Sequence, residues 1–399
     1  MGVNGRATAA RRPGRYVIDL PIRPGNSPTG SERGARGRFR SRAPFVASGA
    51  PVVDRNRALS VARSWIRGLA VVAAAAVVVS GASAWWMLAT YVEPPVDPAW
   101  QAAPAASIEP GDVTVRFTGT STLLFSDGET SWMTDGWFSR PGPLRLFLSE
   151  IEPDLDAIAF GLERNGSPRL AAVFPMHSHY DHAMDAPEVA RRTGALLVGS
   201  ASTANIGRGW GLEEDRIRVV ADRESFAVGA FTLTPIESKH YQFPDPTMYE
   251  RALGTPDIDR PLVPPVDAFD YRVGKAYALH VAHPRGRWLI VASAGYVEGG
   301  LDGYEADVVF LGVGGLGAQT AEYRDAYWRE AVGKSGARRV VAIHWDSLTG
   351  PIDGPFLGPV RAAGFLAGGV AGTLEFLREK ERLGFEFSTL PRYEPVRLF

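Results

Sequence analysis

The chain is 399 residues long, carries 43 Lys+Arg against 44 Asp+Glu, and contains no cysteine. That excludes disulfides, thiolate nucleophiles and sulfur ligands, so any metal site must be built from His, Asp and Glu. The net charge of −1 conceals a division: residues 1–67 hold fourteen arginines, no lysine and only Asp19, Glu32 and Asp54, for +11, leaving −12 on residues 68–399.

In chain order, residues 1–67 are rich in Gly, Pro and Ser and lack apolar periodicity, which predicts a disordered basic tail. A topology signal or attraction to anionic lipid explains its charge, and no nucleic-acid partner is expected. Residues 68–91 are 24 consecutive residues without a charge. As a helix they span about 36 Å, enough to cross a bilayer. Arg63 and Arg67 flank the near end and Trp85, Trp86 and Tyr91 the far end, as headgroup and interfacial residues do. The arginine excess predicts a cytoplasmic N-terminus and an extracytoplasmic remainder. Ala82-Ser83-Ala84 also fits a signal-cleavage site, and cleavage there releases a secreted protein; the long extension and the length of the run favour an anchor. Residues 92–111 read as a linker, with Glu93-Pro94-Pro95-Val96-Asp97-Pro98 as its stiff part.

The rest, 112–399, reads as one α/β domain. Strands are expected at 113–117, 122–125, 131–134, 172–174, 196–199, 217–220 and, as a pair, over 226–236. A short helix is expected at 187–192. A hairpin over 277–282 and 288–292, a buried strand at 307–312, a helix at 320–332 and a strand at 339–343 follow. A last helix over 374–382 takes Thr373 as its N-cap. Hairpins that give way to strand–helix alternation, twice over, predict two sheets packed face to face with helices outside.

Three of the seven histidines fall in His177-Ser178-His179-Tyr180-Asp181-His182, between a buried strand and a helix. A turn presenting three imidazoles and a carboxylate suits a borderline-soft cation such as zinc. Positions 177 and 179 alternate toward one ion, and 181 and 182 can turn toward a second. The run resembles the H-x-H-x-D-H signature of metallo-β-lactamase-fold hydrolases. The resemblance covers residues 112 to about 365 and implies an αββα four-layer sandwich with metal at one sheet edge. It implies His177, His179 and His240 as one set of ligands and Asp181, His182 and His344 as another. Asp135 is implied to orient a ligand histidine, and Asp181 also to orient or deprotonate the attacking water.

The sequence departs from the family at one place. Where a bridging aspartate is expected, Ala292-Ser293-Ala294-Gly295 offers Ser293 or Ala294. The second site is therefore weaker, either empty, filled by water, or completed by Glu298, Asp302 or Asp346 as a substitute ligand, and one or two Zn²⁺ are expected. A Gly312-Val313-Gly314-Gly315-Leu316-Gly317 run lacks the helix and following acid of a dinucleotide site and reads as a loop at the metal cleft. His280 and His283 read as packing residues. Residues 241–275, Pro-rich and aromatic, read as a lid or a rigid loop. The implied activity is hydrolysis of an ester, lactone, amide or phosphodiester in a small-molecule or lipid-like substrate beside a membrane. A non-catalytic metal- or ligand-binding envelope protein is the alternative.

Overall fold

Strand alternation explains the layers. In β2 (Thr122–Ser126), Leu123 and Phe125 enter one apolar cluster while Leu124 between them enters another; β3 (Ser131–Thr134) does the same with Trp132 and Met133, and β4 (Ala172–Phe174) with Phe174 and Val173. A sheet with both faces apolar must be covered on both sides. The computed structural model describes residues 55–166, 169–243, 245–366 and 370–399.

After α1 (Arg55–Ala89) come β1 (Thr114–Gly119), β2, β3, α2 (Pro143–Leu148), α3 (Leu155–Arg164), β4, α4 (Tyr180–Ala183), α5 (Ala186–Thr193), β5 (Leu196–Gly199), α6 (Ala201–Gly209) and β6 (Ile217–Val219). The second half holds β7 (Phe226–Val228), β8 (Phe231–Ser238), α7 (Pro246–Leu253), β9 (Ala276–His283), β10 (Gly286–Val291), β11 (Val308–Gly312), α8 (Ala321–Ala331) and β12 (Arg339–Ile343). It closes with α9 (Arg361–Leu366), α10 (Val370–Arg382), β13 (Glu386–Ser388) and β14 (Val396–Arg397). Two seven-stranded sheets result, ordered β14-β1-β2-β3-β4-β5-β6 and β13-β12-β11-β10-β9-β8-β7. Each is antiparallel in one half and parallel in the other. Their inner faces meet through Phe125, whose ring lies 5.3 Å from Trp288 and 5.4 Å from Phe310. Ile158, Leu162, Val189 and Ala190 of α3 and α5 cover the first sheet, and Trp328, Phe376 and Leu377 of α8 and α10 pack with the second. The expected αββα sandwich is what forms.

Several boundaries differ from expectation. The tail over 1–67 lies, up to residue 54, outside the described residues. From Arg55 the chain is helical, thirteen residues before the expected start, because 55–67 hold Ala, Leu and Arg and no proline. Residues 59–89 form one helix long and apolar enough to cross a membrane. The stretch after it is not a free linker. Trp100 stacks on Phe387 at 5.0 Å and its indole donates to Glu381, while Asp97 pairs with Arg378. The last helix begins at Val370, so Thr373 lies within it, and its hydroxyl accepts from the Gly317 N–H instead of capping.

α5 is tied to the chain beyond α6 by Glu188, a buried carboxylate that accepts from Arg191, Arg192 and the Trp210 indole. Burial disfavours its charge, yet these donors outweigh it and hold the carboxyl down at about 2. A depressed carboxyl stabilises the fold above its ordinary pKa near 4.5 and loses that contribution as pH falls toward 2. Glu188→Gln is therefore expected to lower stability by about 1 kcal/mol at pH 7, since solvent screens the arginines. The difference should close between pH 4.5 and 2, as read by urea titration across that range.

Candidate metal centre

The loops after β3, β4, β8 and β12 converge at one edge of the sandwich and bring seven side chains together, Asp135 among them. β4 ends at Phe174, whose carbonyl accepts from the Asp135 N–H. The Asp135 carboxylate in turn accepts from the Met176 N–H at 2.8 Å, which fixes the start of the histidine turn. The Ser178 N–H is held by the Val273 carbonyl, and the His179 carbonyl accepts from the N–H groups of His182 and Ala183 to open α4. One turn of helix thus carries Asp181 and His182 back toward His177.

His177, His179 and His240 place ligand atoms within 4.8 Å of one another, and so do His177, Asp181 and His182. His344 joins the second group, with Nε2 3.2 Å from His182 Nε2 and 3.4 Å from the Asp181 carboxylate. All six expected ligands are assembled, with His177 common to both clusters. Asp135 stands where expected: fully buried, it accepts from His182 Nδ1 at 2.9 Å and the Ser121 hydroxyl at 2.6 Å.

Their tautomers test whether these residues suit a metal. His182 Nδ1 donates to Asp135, His240 Nδ1 to the Tyr241 carbonyl at 2.8 Å, and His179 Nε2 to the Ala252 carbonyl at 3.3 Å. The opposite nitrogen of each is left with a lone pair: Nε2 of His182, which meets His344 Nε2; Nδ1 of His179, which meets His177 Nε2 at 3.1 Å; and Nε2 of His240. Those three lone pairs face the cluster, where a divalent ion can turn each into a bond. Burial and then the neighbouring imidazoles push His177 well down, and burial pushes His179 down to about 4 and His240 lower than usual. The three are neutral at pH 7, as ligation requires. Burial also works against charge on His182, but Asp135 and Asp181 outweigh it and raise its pKa. At Asp181, burial is overcome by His182 and His344, which hold the carboxyl well below the usual range. The donor set fits a divalent cation.

None of the substitute ligands joins either cluster among the described residues. Asp346 accepts from the Thr120 N–H at 2.6 Å and lies 3.8 Å from Arg140. Asp302 pairs with Lys334, and Glu298 is exposed. Ser293, at the expected aspartate position, accepts the Tyr241 N–H at 3.0 Å. The glycine run does border the cleft: a Cβ on Gly314 would fall 2.8 Å from His344 Nδ1. His280 bonds the Glu305 carbonyl and His283 faces Asp127, so both are packing residues. The 241–275 segment is built in, through Ile258, Ala268 and Tyr271 in a core with Trp137 and Met184. Its α7 end brings Ala252 onto His179, and Phe243 stacks on His240 at 5.5 Å.

A histidine turn after β4 between two mixed sheets, with His240 after β8 and His344 after β12, decides the architecture. This is the metallo-β-lactamase fold. Among solved structures, the chain is similar to Igni18, a metallo hydrolase from Ignicoccus hospitalis, at 16% identity over 72% of this chain and 98% of that one, with a TM-score of 0.45. It is also similar to the metallo-β-lactamase fold protein YhfI from Bacillus subtilis, at 14% identity over 71% and 98%, TM-score 0.39. A third likeness is to CmlA, a diiron β-hydroxylase from Streptomyces venezuelae, at 13% identity over 73% and 55%, TM-score 0.41. No protein-family model and no curated protein matches the chain.

Sequence reasoning missed Ser121, Thr120 and Arg140. Thr120 and His344 both take left-handed backbone conformations, at φ 54° and 56°, and the His344 N–H donates to the Thr120 carbonyl. Such conformations in non-glycine residues cost of order 1–3 kcal/mol and persist where neighbours enforce them. Here Asp346 holds the Thr120 N–H and Arg140 its hydroxyl, at 3.0 Å. A Gly-Thr hairpin is the one sequence signal near this network, and it says nothing of Arg140. Asp135→Asn, which keeps the shape but removes the charge facing His182, is expected to weaken metal binding about 10–100-fold by competitive chelation.

Proposed function

We propose that this chain is a metal-dependent hydrolase, with zinc as the metal, acting on an ester, lactone, amide or phosphodiester. The observation that carries this reading is the convergence of five imidazoles and one ionised carboxylate, with the tautomers of His179, His182 and His240 set by hydrogen bonds from outside the cluster. His177, His179 and His240 would hold one ion, and Asp181, His182 and His344, with His177 alongside, a second. A bound divalent zinc lowers the pKa of water toward about 7 and polarises a carbonyl or phosphoryl oxygen. The residues supply the rest. Asp135 fixes the His182 ring, and the Asp181 carboxylate, ionised at neutral pH, orients a water proton at its Oδ2. Phe243, Tyr241 and the α7 end exclude bulk water over His240 and His179. The long apolar helix supports placement at a membrane, with the basic N-terminus cytoplasmic and the hydrolase domain outside.

One observation favours a second reading, a non-catalytic metal-binding protein: Ser293 stands in place of a bridging carboxylate and spends its hydroxyl on Tyr241. Purified full-length chain should contain one or two zinc and hydrolyse members of an ester, lactone and phosphodiester panel, with loss on chelation and recovery on zinc. Bound zinc without turnover of any class favours the second reading.

A further inference from the structure

The metal cleft lies beside a short helix whose outer face is apolar and uncovered. In α2, Leu144 and Leu148 are 47% and 76% exposed, four residues apart and so on one face, while Leu146 is buried. Leu146 packs in the same cluster as Trp137, Ala183 and Met184, directly behind the α4 turn that carries Asp181 and His182. Val263 of the 241–275 segment is likewise 64% exposed, next to Leu262, which packs on that cluster.

The same cluster is joined to the exit end of α1. Leu348 packs against it, and the carbonyl of the next residue, Thr349, accepts from the Tyr91 hydroxyl at 3.3 Å. Tyr91 is strapped down further by an antiparallel bridge to Val360 and by hydrogen bonds linking Val92 to Pro359 and Arg361 to Thr90. The Arg361 guanidinium also lies 4.4 Å over the Trp86 ring. Trp85 and Trp86 are 65% and 51% exposed, at the level where a spanning helix meets headgroups. Residues 348–349 therefore join the interfacial end of α1 to the cluster that also holds Leu146 of α2.

From this continuity we propose that α2 is a second membrane contact, inserting Leu144 and Leu148 into the outer bilayer surface and setting the metal cleft at the lipid interface. The inference rests on α1 spanning the membrane. Two leucines are few for a free protein, but the fixed tether raises their effective concentration at the surface, so a small apolar face suffices. Arg145 between them, 3.6 Å from Glu152, suits the headgroup layer.

The absence of cysteine makes the test direct. Single-cysteine variants Leu144→Cys, Leu148→Cys, Val77→Cys and Leu383→Cys of the full chain are labelled with an environment-sensitive fluorophore in lipid nanodiscs. Quenching is then read with lipids spin-labelled near the headgroup for 144, 148 and 383, and along the acyl chain for 77. Val77 reports α1, and Leu383, 62% exposed beyond α10, reports solvent. Quenching at 144 and 148 at least twofold above 383 is expected. Quenching at 77 with 144 and 148 no different from 383 overturns the α2 contact and leaves the anchor standing. No quenching at 77 overturns the anchor and, with it, this inference.

Discussion

His177→Ala is expected to abolish hydrolysis and empty both metal clusters, because His177 alone belongs to both. Its ring lies between those of His179, edge-on at 4.7 Å, and His182, tilted at 3.8 Å, so no nearby side chain can take its place. Loss of a metal that supplies several kcal/mol of transition-state stabilisation corresponds to about 10³-fold in kcat/KM or more. His240→Ala removes a ligand from one cluster only and should leave the other, with His177 beside Asp181, His182 and His344, holding metal. Zinc stoichiometry by mass spectrometry, with kcat/KM on the best substrate of the panel, separates the two variants. Equal metal content in both would show that His177 is not shared.

The six clustered side chains were legible because each follows a strand that its own alternation announces. Hydrophobic runs at 172–174, 231–236 and 339–343 fix where the chain leaves the sheet, and a polar residue just past a strand end stands at the sheet edge. Asp135 was legible by the same rule. Asp346 was not, and the reason is physical. Counting two residues on from His344 assumes extended backbone, but His344 is left-handed at φ 56°, which turns the chain and sends Asp346 to Thr120. α2, α6 and α7 also escaped notice: they are short, and α2 and α7 begin at prolines that read as breakers, although proline is well placed at the first position of a helix. Thr373 looked like a cap because the strongly apolar pattern begins after it. The helix already includes Val370 and Ala371, ahead of Thr373.

The Asp346–Arg140 pair leads to the other large effect. Arg140 is almost fully buried, its guanidinium 3.8 Å over the Trp137 ring, and burial pulls its pKa down to about 10 against the opposing pull of Asp346. Asp346→Ala leaves that cation without its carboxylate and the Thr120 N–H without an acceptor. Breaking a buried ion pair from one side costs about 3–5 kcal/mol, far more than the pair contributes net. Replacing both members with apolar residues, as in Arg140→Met with Asp346→Leu, removes the stranded charge. The double variant should therefore be more stable than Asp346→Ala, although Thr120 still lacks its partner. Denaturant midpoints of the single and double variants check this order. Metal binding adds a reading that stability alone does not give. With Thr120 released from Asp346, its carbonyl no longer fixes the His344 N–H, so affinity should fall at the cluster containing His344 more than at the one containing His240. Asp346→Asn keeps an oxygen for the Thr120 N–H while removing the charge. If it restores the metal affinity but not the stability, Thr120 positioning and Arg140 neutralisation are separate tasks of one carboxylate.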